Sequence, residues 1–223
     1  MPRSYGQHCA VAKSLDLVGD RWTLLIVRDL LDRPRRYGDL LSRLAPIATD
    51  MLAGRLRELE RNGLVRRREL PRPASGNLYE LTDDGLALEE VINAFARWGR
   101  HLLHSRTPTD LVRPEWLVRA VRAYVRDGRS GDDLLMRLAA PQCGVTVRIA
   151  ADLVEVADDG AIPDVVLTGD VDVLAAALDP ERVDDLVAAG RLHVAGTPEA
   201  LGRLADAFTP PRAAVAEPVR AVV

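Results

Sequence analysis

The apolar period of the chain changes at Gly63, and that change restricts the fold more than any other feature of the sequence. Before it, Leu52, Leu56 and Leu59 recur at helical spacing, which predicts a helix from Thr49 to Asn62 with Gly63 as its stop. After it, Leu64 to Glu69 and Leu78 to Leu81 read as two short strands joined by PRPASGN, a hairpin with a protruding tip. Upstream, Val11, Leu15 and Val18 mark a helix ending near Gly19. Asp20 is placed to cap a second helix reaching Leu31, and a short third runs from Gly38 to Leu44 before Pro46. Downstream, Thr82 opens a helix predicted to continue to His104 with Leu88, Val91, Ile92, Phe95, Trp98 and Leu102 apolar. Short helices followed by a hairpin is the order of a winged helix-turn-helix.

Charge placement agrees with that order. Formal net charge is −3 over 223 residues, so the whole chain does not announce a polyanion partner. Between Arg33 and Arg72, however, 11 arginines stand against 5 acids. A local basic block on an acidic chain points to one anionic partner met by one face. With the leucines of the 49–62 helix turned inward, Asp50, Gly54, Arg57 and Arg61 face outward. Such a face fits a DNA major groove, with Thr49, Asp50, Ala53, Gly54, Arg55 and Arg57 in reach of base edges or phosphates. Arg66, Arg67, Arg68 and Arg72 on the hairpin are expected at the phosphates or in a minor groove.

SRTPTD, residues 105–110, is the expected linker between a domain of residues 1–104 and one of residues 111–209, with residues 210–223 as a tail. In the second half a helix is expected from Pro114 to Arg126. Val145 to Ile149, Val154 to Val156, Val165 to Leu167 and Leu192 to Val194 read as strands of an antiparallel sheet, with helical stretches near 170–189 and 198–208. The chain is therefore α+β. It has no Ser-His-Asp set, no HExxH and no glycine-rich phosphate loop, so no catalytic, metal or cofactor site is expected. No apolar run reaches membrane-spanning length, and MPRSYGQHC carries no secretion signal, so a cytoplasmic protein is expected. Cys9 and Cys143 cannot build a disulfide framework.

The stretches GDRWTLLIVRDLL (Gly19 to Leu31), RYGDL (Arg36 to Leu40), MLAGRLRELERNGLVRRREL (Met51 to Leu70) and LYELTDDG resemble the HxlR-type winged-helix regulators of bacteria. That resemblance implies a transcription regulator on a double-stranded DNA operator. It also implies a homodimer paired through its first and last helices, here 8–18 and 83–104. Ala48 stands where that family usually has a capping serine, so Thr49 or Asp50 is expected to cap. The early cysteine, Cys9, is a candidate thiol sensor. PDVVLTGD, GDVDVLAAALDP and AGRLHVAGTPEALGRLADAF resemble the sterol-carrier-protein family. This second resemblance implies an apolar tunnel for a small apolar or aromatic effector, lined by Trp116, Tyr124, Met136, Leu167, Leu174, Leu178 and His193. Two alternatives stay open on the residues alone: a redox regulator working through Cys9, and a lipid or small-molecule carrier that does not bind DNA.

Overall fold

In the computed structural model of the chain, residues 4–70, 75–105, 110, 111, 113, 115–126, 131–141, 143–151, 153–158 and 160–208 are described. The chain divides into two compact units, Met1–Ile92 and Asn93–Val223. The first contains α1 (Ala10–Val18), α2 (Thr23–Asp32), β1 (Arg35–Arg36), α3 (Tyr37–Arg43), α4 (Thr49–Arg61), β2 (Val65–Glu69), β3 (Asn77–Leu81) and α5 (Asp83–Leu86). Its strands form an antiparallel sheet in the order β1-β3-β2. The core gathers Ile26 and Val27 of α2, Leu40 of α3, Leu52, Leu56 and Leu59 of α4, and Val65 and Leu81 of the hairpin. Full burial of each large aliphatic side chain stabilises by about 1.5–3 kcal/mol, so the three leucines fix the rotation of α4. A buried ionic network adds to this core. Asp29, fully buried on α2, lies 3.4 Å from Arg43 of α3 and 3.5 Å from Arg28, and Arg35 Nε donates to its carbonyl oxygen at 2.7 Å.

The helix α6 (Glu89–Gly99) continues into a 3-10 turn, Arg100–Ser105. The division between units falls inside α6, earlier than the expected linker, because the two ends of the helix feed different cores. Ile92 is buried in the first core and Ala96 packs against the second. Arg97 Nη1 donates to the Ala123 carbonyl oxygen at 3.1 Å. Residues 106–109 of that linker, and the tail 210–223, lie outside the described residues.

The second unit adds α7 (Glu115–Tyr124), β4 (Leu134–Ala140), β5 (Cys143–Ile149), β6 (Val154–Val156), β7 (Val165–Thr168), α8 (Val171–Ala177), α9 (Pro180–Ala188), β8 (His193–Gly196) and α10 (Pro198–Ala207). Five strands run in the order β6-β5-β4-β7-β8. The sheet is mixed rather than antiparallel, since β4 and β7 pair in parallel. Its central strand β4, LLMRLAA, has no β-branched residue and reads as helix by propensity, so sequence patterning missed it. Leu134, Met136 and Leu138 of β4 face the buried side with Val147, Ile149, Val165 and Leu167.

Local expectations also change. Asp20 does not cap α2; Trp22 holds that position at φ 79, in the left-handed region, and the Asp20 carboxylate accepts from Arg55. Neither Thr49 nor Asp50 caps α4. Ala48 is the N-cap without a side-chain bond, and Asp50 accepts from the Met51 N–H. The expected helix 83–104 breaks at Ala87 and Leu88, with Thr82 capping α5 through the Gly85 N–H. Gly85 itself has no space for a side chain, because a Cβ there would lie 2.1 Å from the Leu64 carbonyl oxygen. Among the described residues no helix is long and apolar enough to cross a membrane.

Candidate nucleic-acid interface

Burial of its leucines leaves α4 with an outward face. Thr49, Asp50, Arg57 and Arg61 are exposed there, and Ala53 and Gly54 are half-buried. A Cβ built on Gly54 meets nothing within 4 Å, so protein packing does not require glycine at this position. The start of α4 is fixed by α3, since the Tyr37 hydroxyl donates to the Thr49 carbonyl oxygen at 2.6 Å. Arg55 does not join this face. Its side chain is 19% exposed, and its guanidinium bonds to both Asp20 and Glu58.

The hairpin register pairs Arg66 with Glu80, Arg67 with Tyr79 and Arg68 with Leu78. Successive strand residues point to opposite faces. Val65 and Leu81 are buried on the core side, so Arg67 shares that side and lies 3.9 Å from Glu60 of α4. Arg66 and Arg68 point the other way, and their Nε atoms donate to Glu80 at 2.8 and 3.1 Å. These two bonds hold the Glu80 carboxyl below its ordinary range. Arg67 and Arg68, adjacent in sequence, therefore lie on opposite faces of the hairpin. Arg72 lies outside the described residues.

Sequence reasoning missed three contributors. Arg36 of β1 pairs beside Leu78, and its Nη1 donates to the Ser75 carbonyl oxygen at 2.9 Å, tying down the hairpin. Tyr37 positions α4, and Glu80 gathers two arginines. Arg36 and Tyr37 stand in the RYGDL stretch, but a two-residue strand leaves no period to detect.

Cys9 is exposed at the N-cap of α1, and the backbone N–H groups of Ala12 and Val11 favour its thiolate, lowering its pKa. Seven residues of the second unit are expected around a tunnel. Tyr124, Met136, Leu167, Leu174 and Leu178 are buried in the packed core, Trp116 is half-buried, and His193 is exposed on β8. A cleft of about 490 Å³ lies elsewhere, between the carboxyl ends of β4 and β7 and the Gly190–Arg191 turn, lined by Ala139, Pro141, Thr168, Asp170, Val173 and Arg191 among others.

A helix-turn-helix whose second helix turns a polar, arginine-bearing face outward, followed by a basic hairpin, defines a winged helix-turn-helix DNA-binding transcription regulator. The chain belongs to the HxlR-like helix-turn-helix family, whose model matches residues 17–107. The HTH-type transcriptional regulator YodB of Bacillus subtilis (strain 168) is 38% identical over 85 residues, 38% of this chain and 76% of YodB. The uncharacterized HTH-type transcriptional regulator YvaP of the same organism is 34% identical over 86 residues, 39% of this chain and 80% of YvaP. The solved structure of reduced YodB from B. subtilis is 34% identical, covering 47% of this chain and 100% of that one with a TM-score of 0.39.

Proposed function

We propose that the chain acts as a homodimer on a specific DNA operator and that its C-terminal unit receives a small apolar or aromatic effector. The outward face of α4 carries the operator reading: Asp50, Gly54, Arg57 and Arg61 lie together opposite the buried leucines. Its N-terminal turns meet base edges when the helix enters the major groove. Sequencing genomic fragments retained by the protein identifies the operator. Arg57→Ala is then expected to change sequence preference at one base pair of each half-site. An equal loss on all sequences would make Arg57 a phosphate contact and remove it from the reading.

Exposed apolar residues at spacings of four and three along α6 support the dimer. Val91, Phe95 and Trp98 form the stripe, with Trp98 70% exposed. Such a seam suits packing against a second helix. The order strand β7, helices α8 and α9, strand β8 ending at Gly196, and terminal helix α10 supports the sterol-carrier-like reading of the second unit. The effector then enters the cleft at the ends of β4 and β7, or opens the core that Met136 and Leu174 now fill. It acts only by binding the DNA-competent and incompetent forms unequally. Screening apolar metabolites for a shift in operator affinity tests this, and a tenfold shift corresponds to about 1.4 kcal/mol of coupling.

The thiolate-favouring position of Cys9 supports a second reading, a redox input. Under it, Cys9→Ser keeps operator affinity and loses the response to diamide; a variant that responds as the parent does ends that reading.

A further inference from the structure

The outer face of the hairpin carries an ionic arrangement that DNA binding alone does not require. Glu80 of β3 accepts from Arg66 through one carboxylate oxygen and from Arg68 through the other. Its side chain is 13% exposed, whereas those of Arg66 and Arg68 are 68% and 49% exposed. Each arginine commits its Nε, and the Nη groups make no bond among the described residues. A guanidinium has five N–H donors, so both keep donors for an incoming oxyanion. Two positions apart on one strand, the arginines stand about 6.6–6.8 Å apart along the chain, close to the separation of successive phosphates on a nucleic-acid strand. Arg66, Arg68 and Glu80 thus present two phosphate-ready edges, but together carry the net charge of one cation.

We propose that Glu80 is a specificity-determining counter-ion of the hairpin. It orients Arg66 and Arg68 toward neighbouring phosphates while cancelling one of their charges, so that the hairpin adds less to sequence-independent binding. The inference rests on the DNA-binding reading and deepens it. Non-specific affinity for DNA is almost wholly electrostatic, whereas base contacts made by α4 do not depend on Glu80. A carboxylate beside two arginines therefore lowers the background more than it lowers operator binding.

The test measures the full chain on a captured operator and on an unrelated duplex across a salt series. Glu80→Gln keeps the side-chain shape and removes the charge. It is expected to steepen the slope of log affinity against log salt on the unrelated duplex by about 0.9 per protomer, so that each tenfold drop in salt tightens binding by about a further eightfold. The ratio of operator to non-specific affinity should fall. In an Arg66→Ala, Arg68→Ala background, the same substitution should change neither slope nor ratio. Unchanged slope and ratio in Glu80→Gln would overturn the proposal and leave operator binding by α4 intact. Weaker binding with a normal thermal transition would also overturn it, as would an effect that persists without the two arginines. A parent chain that binds no duplex at low salt would instead refute the DNA-binding reading on which the proposal rests.

Discussion

Replacing Gly54 with alanine should strengthen the folded chain and weaken its grip on the operator. Gly54 sits in the second turn of α4, an interior helical position where glycine costs about 0.8–1.0 kcal/mol relative to alanine. That cost is not repaid inside the protein, because a Cβ at Gly54 meets no atom within 4 Å. The added methyl makes no clash and fills no cavity, so the backbone term stands alone. A gain of about 0.5–1 kcal/mol follows, raising the first unit's melting temperature by about 2–8 °C for a unit of its size. On DNA the sign reverses. If the helix backbone approaches the base pairs here, the methyl crowds the contact, and overpacking of this kind costs about 1–3 kcal/mol, or about 5- to 150-fold in affinity. Scanning calorimetry of the free protein and fluorescence anisotropy on a labelled operator read the two effects separately. A lower melting temperature would show that the position is packed after all. A higher melting temperature with unchanged operator affinity would refute close approach of α4 at Gly54.

Other expected outcomes concern the ionic core, the thiol and the apolar stripe. Asp29→Asn removes the buried carboxylate that lies 3.4 Å from Arg43 and 3.5 Å from Arg28, and should cost about 3–5 kcal/mol in urea unfolding; a loss below about 1 kcal/mol would show that the network adds no folding energy. Because backbone N–H groups favour the Cys9 thiolate, its alkylation should switch on at lower pH than that of an unstructured cysteine peptide, and a midpoint at or above the peptide's would contradict the N-cap geometry. Trp98→Glu places a charge on the most exposed large residue of α6 and should convert dimers to monomers in light scattering at micromolar concentration, with operator affinity falling at least about tenfold as the paired half-sites are lost; a variant that stays dimeric would move the interface off α6.

How much of this was readable from the sequence depended on whether a local period carried the information. The helices α1, α2 and α4 and the hairpin strands lie within a few residues of where their leucines, valines and glycines place them. The β7 strand and the helices after it were legible for the same reason, since VVLT is β-branched and Pro180 and Pro198 sit at the first turns of α9 and α10. The central strand β4 was not, because its residues favour helix and only its neighbours β5 and β7 make it a strand. The apolar tunnel was not legible on similar grounds. Met136, Leu167, Leu174 and Leu178 have the composition of either a cavity wall or a filled core, and only packing distinguishes the two.

The interface shows where the same limit falls on function. Along α4, the repeat of buried leucines lies in the segment that carries the outward residues, so direction could be worked out residue by residue. Along the hairpin it could not. The run Arg66-Arg67-Arg68 states its charge in sequence, but its direction comes from a register set by burial of Val65 opposite Leu81. A slip of one residue would turn an arginine into the core, so packing holds that register firmly. The register that closes the core is thereby the one that sets Arg66 opposite Glu80 and sends Arg67 to the other side. Arg55 is the corresponding case on the helix. Its own segment places it among the DNA-facing candidates, and the Asp20 that binds it stands 35 residues earlier in the chain. Charge was legible wherever it was written; its partner was legible only where the partner lay within the same period.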